Sequence, residues 1–311
     1  MNKEDKVYIA GHNGMVGSAI HRKLQANGYN NIIVVDSCDL DLRNQNAVEK
    51  FFIEEKPDYI FLSAAKVGGI MANKTYRADF LYDNLTIAIN VIHAAFKNKV
   101  KKLLYLGSSC IYPRNAKQPI IEDDLLTGRL EETNEPYAIA KIAGIKLCES
   151  YFDQYGCNFI SAMPTNLYGP NDNYDLDNSH IIPALLRKFF EAVKNNKDEV
   201  EVWGDGSPLR DFMHVDDCAD ACIFLMNNYN DKQFINIGTG IEISIKNVAE
   251  IIKRKLDFTG IINYHTSFPN GTPRKLMDVR KINSLGWKHS ISFNDGIDQI
   301  IEILEDELRK Y

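Results

Sequence analysis

An apolar run, Lys6-Val7-Tyr8-Ile9-Ala10, leads directly into Gly11-His12-Asn13-Gly14-Met15-Val16-Gly17 and then into a helical pattern reaching Leu24. No other feature constrains the chain as strongly. In a strand–turn–helix of this kind the first glycine permits the tight turn. The second lets backbone approach a pyrophosphate, and the third lets the helix pack against the strand. The first amides of the helix then face the phosphates, helped by the helix dipole. Glycine-rich turns also join ordinary strands and helices. Here the position right after an apolar strand favours dinucleotide binding by Gly11, Asn13, Gly14, Met15, Val16 and Gly17.

The same alternation continues. Ile32-Ile33-Val34-Val35, Tyr59 to Ser63, Lys102 to Leu106 and Phe159 to Met163 read as further strands. Helical patterns lie between them, over Ala47 to Ile53 and in a long stretch ending near Lys97. The strands are apolar throughout, as strands covered on both faces are. The expected fold class is α/β, a doubly wound parallel sheet with helices on both sides. Beyond Gly169 the pattern loosens, with Pro170, Pro183, Pro208, Pro269 and Pro273 punctuating loops. Helices are expected at Pro183–Asn195, Val215–Asn227, Ile245–Lys255 and Ile297–Arg309. This gives a dinucleotide domain over 1–169, with later returns from the second half, and a smaller α/β lobe over 170–311.

Charge and cysteine usage narrow the function classes. Lys and Arg total 36 against 42 Asp and Glu, a net charge of -6 with no long basic run, so nucleic acid is not the expected partner. Met1 to Lys6 is polar and no apolar run is long enough to span a bilayer, so neither a membrane nor secretion is expected. The 6 cysteines are scattered without a CxxC pair, which implies reduced thiols and a cytoplasmic setting. Cys218 and Cys222 stand four apart in an expected helix; core packing is favoured there over a metal site, and no metal is expected.

Asp36 ends the second strand. A carboxylate there accepts hydrogen bonds from ribose hydroxyls and repels a 2′-phosphate, which favours NAD; a solvated loop acid is the plainer alternative. Asp41 and Leu42 are weaker candidates for flanking the adenine. Tyr137 and Lys141 lie four apart at the start of a helical stretch, on one helix face. A free phenol titrates near ~10, so a neighbouring cation is needed if it is to exchange protons near neutrality. Lys141 would supply that cation and bond the nicotinamide ribose. Ser108, just after the fourth strand, would bond the same carbonyl oxygen as the phenol. Taken alone, Cys110 reads as a buried apolar cysteine and His180 as a hydrogen-bonded structural histidine.

Together the glycine turn, the strand-end serine and Tyr137-x-x-x-Lys141 resemble the extended short-chain dehydrogenase/reductase superfamily. The resemblance narrows with Ser108-Ser109-Cys110-Ile111-Tyr112-Pro113, Asn134 to Lys141, Met163 to Pro170, Asn178 to Arg187, Asp211 to Asp217 and Gly271 to Asp278. Over essentially the whole chain these blocks look like the GDP-L-fucose synthase family. That resemblance implies a Rossmann-type sheet with a nucleotide-sugar-binding lobe. It also implies a substrate of the GDP-linked 4-keto-6-deoxy sugar class, 3,5-epimerisation and then reduction of the 4-keto group. Cys110 and His180 take the acid and base roles, with Ser108, Tyr137 and Lys141 at the carbonyl. Coenzyme contacts extend to Ala64, Ala65, Pro164, Thr165, Asn166, Leu167 and His180. Lys188, Trp203, Arg210 and Arg274 fall on nucleotide-sugar positions, although Trp203 would equally suit a core and the arginines a solvated face. A homodimer is implied as well.

One departure stands out. NADPH is the coenzyme that the family implies, yet the turn carries Asn13 and the loop reads Asp36-Ser37-Cys38 without a basic residue. NADH therefore remains open beside NADPH. Two rival functions remain: a 4-reductase on a related GDP-sugar such as a heptose, and a non-catalytic coenzyme sensor that retains the fold.

Overall fold

In a computed structural model describing residues 1–176, 178–267 and 270–311, the chain builds one large sheet and a lobe at its carboxyl edge. Pro269, expected to punctuate a loop, lies outside the described residues. The first half runs β1 (Val7–Ala10), α1 (Met15–Ala26), β2 (Ile32–Ile33), α2 (Gln45–Glu55) and β3 (Tyr59–Leu62). It continues with α3 (Ile70–Thr75), α4 (Arg77–Lys97), β4 (Lys102–Leu106), α5 (Glu135–Tyr155) and β5 (Phe159–Pro164).

The second half contributes β6 (Asn166–Tyr168), α6 (Ile181–Lys194), β7 (Glu199–Trp203), β8 (Leu209–His214), α7 (Val215–Asn228) and β9 (Ile235–Ile237). It ends with β10 (Glu242–Ser244), α8 (Ile245–Lys255), β11 (Ile261–His265), β12 (Arg274–Lys275), α9 (Arg280–Ser284) and α10 (Phe293–Leu308). The main sheet has the order β2-β1-β3-β4-β5-β9, and every pair in it is parallel. Its strand order reverses at β1, so the glycine turn opens where ligands bind in such sheets.

Both faces of the sheet are covered, which is why its strands read as unbroken apolar runs. One face packs Ile20 and Leu24 of α1 against Cys218, Cys222 and Leu225 of α7. The other packs Val48, Phe52, Val91 and Ile145 of α2, α4 and α5. The two helical cysteines are thus core residues, and all 6 thiols are free. A third core, around Phe189, Val200, Val248 and Ile300, holds the lobe.

Differences from the expected elements have local causes. β2 pairs only with β1 and stops at Ile33, since an edge strand lacks a second neighbour to extend it. α6 starts at Ile181, two residues before Pro183, because proline is tolerated in a first helical turn. α10 starts at Phe293 rather than Ile297, where Ser292 Oγ accepts from Asp295 N and caps the helix.

Candidate active site

Two glycines of the turn, Gly11 and Gly17, have no room for a side chain. Gly11 has φ +89°, and a Cβ added there would lie 2.7 Å from Ala64 Cα. A Cβ on Gly17 would lie 2.1 Å from Gly11 O. Gly14 N donates to Gly11 O at 3.1 Å, and no side chain caps α1. Asn13, Met15 and Val16 complete this turn and its first helical residues, while Ala64 and Ala65 follow β3 alongside it. The free amide end of α1 is the donor set that a pyrophosphate needs, so the residues present fit a dinucleotide.

Beyond β2, Asn13 Nδ2 donates to Asp36 Oδ1 at 2.5 Å, and His12 Nε2 stands 3.5 Å from the same oxygen. The Asp36 side chain is 54% exposed, so its carboxylate remains available to a ribose. Asp41 is engaged elsewhere: Arg43 Nε donates to it at 2.9 Å and holds its carboxyl below the usual range. Leu42 O accepts from Asn90 Nδ2, which fixes the loop that carries both residues.

Lys141 lies on the inner face of α5, 2% exposed, and its Nζ donates to Leu106 O at 2.7 Å. Helical spacing puts that ammonium 5.8 Å from the centre of the Tyr137 ring. Burial pushes Lys141 down to about 8, with partial opposition from Cys110. Burial also raises the Tyr137 phenol well above its ordinary value; Cys110 adds to this and the Ser108 hydroxyl opposes it. Desolvation holds Tyr137 as a protonated donor. Phe80 meets its ring edge-on at 6.2 Å and fixes its plane.

Ser108 begins the tight turn after β4, and Cys110 N donates to Ser108 Oγ at 3.4 Å. Gly107 just before it lies so close to β5 that a Cβ would fall 2.2 Å from Met163 Sδ. Cys110 is 9% exposed. Burial pushes its thiol up, while Lys275, Ser108 and Lys141 each pull it down. His180 precedes α6, exposed toward the cleft yet surrounded by enough protein that desolvation lowers its imidazole, with Lys275 adding to the effect. Its loop is clasped from the other side, since Gly69 N donates to Asn178 O at 2.8 Å. Lys275 was not singled out from the sequence, yet its charge reaches both Cys110 and His180.

The β5–β6 junction is anchored to β8. Thr165 Oγ1 and Asn166 Nδ2 donate to Asp211 O at 3.0 and 2.9 Å, which positions Pro164 to Leu167 along the cleft. In the lobe, Lys188 Nζ lies 5.4 Å over the Trp203 ring and donates to Glu201 O. Trp203 is 47% exposed, so its alternative reading as a core residue does not hold. Arg210 is partly buried and donates to Leu209 O at 2.8 Å. Arg274 instead pairs with Glu242 at 2.7 Å. Alternation along β12 separates the two basic residues there, sending Lys275 toward Arg210 and Arg274 toward Glu242.

A parallel sheet with a glycine turn at its reversal point, beside a Ser–Tyr–Lys set whose lysine is buried, defines a nucleotide-dependent oxidoreductase architecture. The NAD dependent epimerase/dehydratase family model matches residues 7–238, and the chain belongs to that family. Within it the chain is similar to GDP-L-fucose synthases. It is 56% identical over 311 residues to the putative GDP-L-fucose synthase 2 of Arabidopsis thaliana, covering 100% of this chain and 95% of that protein. It is 52% identical to the GDP-L-fucose synthase of Escherichia coli, covering 96% and 95%. Among solved structures, the GDP-mannoheptose C4 reductase of Campylobacter jejuni with NADP bound superimposes with a TM-score of 0.92. That structure is 45% identical and covers 98% of this chain and 99% of its own. Among the described residues, no helix is long and apolar enough to cross a membrane.

Proposed function

We propose that this enzyme converts GDP-4-keto-6-deoxy-D-mannose to GDP-L-fucose, epimerising at carbons 3 and 5 and then reducing the 4-keto group. What carries the reading is the meeting of buried Cys110 and Lys141 with half-buried Ser108 and Tyr137 in one wall, with His180 facing the same Lys275. A reductase alone needs the serine, tyrosine and lysine. A thiol and an imidazole beside them suit proton exchange next to the carbonyl.

The chemistry follows from those groups. The 4-keto group acidifies the hydrogens on both flanking carbons. One of Cys110 and His180 takes a proton, and the electron pair of the broken C–H bond passes into an enolate. The other returns a proton on the opposite face, which inverts the centre. Ser108 and Tyr137 donate to the oxygen that carries the developing charge. A reduced coenzyme, held by the glycine turn and the free amides of the first helix, would supply the hydride that ends the sequence. Tyr137 then gives its proton to the alkoxide, and Lys141, fixed on Leu106 O, holds positive charge beside it. Lys188, Trp203, Arg210 and Arg274 would take the GDP moiety, with Arg210 matched to the diphosphate by its planar donor fork. The lobe over 170–311 would thus be mainly the nucleotide-sugar half, and the setting cytoplasmic.

The second reading, a 4-reductase on a related GDP-sugar such as a heptose, is favoured by the likeness to the Campylobacter reductase. The coenzyme choice rests on Asp36. Its exposed carboxylate and the missing basic residue lead us to expect that NADH supports turnover within about tenfold of NADPH. A single phosphate contact contributes about 1.5–3 kcal/mol. Incubation with GDP-4-keto-6-deoxy-mannose and each reduced coenzyme, followed by product identification, tests both points. GDP-L-fucose with either coenzyme supports them. Reduction to an uninverted sugar would sink the epimerase reading, and a hundredfold preference for NADPH the coenzyme expectation.

A further inference from the structure

Lys275 is a cation acting on both Cys110 and His180 that the reaction just proposed leaves without work. It sits on β12, where its Cα pairs with that of Arg210 on β8. The following residues lock the strand in place. Leu276 N donates to Gln118 Oε1 at 2.7 Å, Ile120 N to Leu276 O at 2.8 Å and Asp278 N to Ile120 O at 2.8 Å. Lys275 and Cys110 line the same small cavity, of about 50 Å³. Among the described residues, the Lys275 ammonium has no hydrogen-bond or ion-pair partner.

The other charged groups nearby are already committed. Lys141 Nζ is bound to Leu106 O, and Arg210 donates to Leu209 O. Arg274 pairs with Glu242, and Arg114, on the cavity wall, lies 3.6 Å from Glu131. The thiol of Cys110 is faced by Lys275, Lys141, the Ser108 hydroxyl and the Tyr137 phenol; Lys275 is faced by Cys110, Arg210 and His180. An uncommitted ammonium against a buried sulfur favours the thiolate, because an opposite charge at close range offsets the desolvation of the anion. Burial and Arg210 push Lys275 itself down to about 8, while Cys110 opposes that shift.

We propose that Lys275 is a positioning residue for the epimerisation, acting as the countercharge to Cys110 whenever that sulfur is without its proton. The proposal rests on the epimerase reading, and it adds a residue outside the Ser–Tyr–Lys set. Balance is simple: the proton on sulfur is exchanged with the sugar carbon, the C–H electron pair enters or leaves the enolate, and the ammonium keeps its protons throughout. It also opposes protonation of His180, so the two groups are biased in opposite senses, thiol toward anion and imidazole toward neutral.

The first of two tests needs no substrate. Thiolate absorbance near ~240 nm is titrated in the folded protein, and the same titration on a Cys110→Ser background is subtracted. We expect Lys275→Met to raise the Cys110 midpoint by about one pH unit or more, and Lys275→Arg to restore most of the shift. Lys275→Gln replaces the methionine variant if that one does not fold. With GDP-4-keto-6-deoxy-mannose in deuterated water and coenzyme omitted, Lys275→Met should slow exchange at carbons 3 and 5 by about tenfold near pH 7, where the ammonium is charged. An unchanged thiol titration overturns the proposal, including the case where the variant merely binds the GDP-sugar more weakly, which would make Lys275 a phosphate contact. Wild-type protein that titrates as expected but exchanges no sugar hydrogens would refute the epimerase reading and leave the electrostatic pairing standing.

Discussion

Burial does more than any single pair to set the chemistry of Tyr137. Desolvation holds the phenol protonated, and Lys141, itself pushed down to about 8, is fixed on Leu106 O close to the ring. Tyr137→Phe removes the donor and nothing else, so turnover should fall by about a hundredfold or more. Coenzyme binding, read by fluorescence titration, should stay intact. A non-catalytic coenzyme sensor would lose nothing measurable. The wild-type reduction rate should also decline as pH rises through about 8, because Lys141 loses its charge there; a rate flat to pH 10 would contradict its role. The residues behind this centre were legible in sequence where their spacing is local. Tyr137 and Lys141 are one helical turn apart, and Gly11, Gly14 and Gly17 share one turn. Lys275 was not legible, since its approach to Cys110 depends on β12 lying beside β8, a pairing that no local pattern encodes. Cys110 shows why its bland reading was reasonable: it is buried and also set among charges.

At the scale of elements, docking of the chain's end onto the lobe carries a burden. Tyr311 OH donates to Asn173 Oδ1 at 3.1 Å and Lys310 Nζ to Asn171 Oδ1 at 3.3 Å, beside Asp172. Asp172 is 8% exposed, and only its Oδ1 is partnered, by Asn173 N at 2.8 Å. Burial raises this carboxyl to about 7 from an ordinary value near 3.8. The unfolded chain therefore ionises first, and stability is present below pH ~4 and is lost as pH rises through about 7. Asp172→Asn should leave the melting temperature unchanged near pH 4 and raise it by a few degrees at pH 8. A thermal scan at both values checks this, and equal effects at the two would contradict it. Such a liability is invisible in sequence, because Asp172 looks like any loop acid beside Asn171 and Asn173. Helix boundaries were legible to within a turn where a cap or proline marks them. β2 ran short because only its neighbours decide where an edge strand ends.

For the molecule as a whole, the parallel sheet could be read from the chain because both its faces are covered and its strands are uniformly apolar. The return of α7 and β9 to that sheet could be expected only in outline. Long-range pairing decides it: β9 lies beside β5, from which it is separated by the whole of α6 and α7. Exposed apolar side chains remain on two adjacent helices, Tyr82 and Ile89 on α4 and Ile139 and Tyr155 on α5. They fit a homodimer formed through those helices, and light scattering should give about twice the 35.4 kDa of one chain. A monomer at micromolar concentration would exclude that arrangement. The central claim, that one cleft both exchanges protons and delivers hydride, is tested most directly by running the wild-type reaction in deuterated water with reduced coenzyme. Deuterium at carbons 3 and 5 of a reduced, doubly inverted GDP-sugar is the predicted result. A reduced product carrying only protium at both carbons would contradict it.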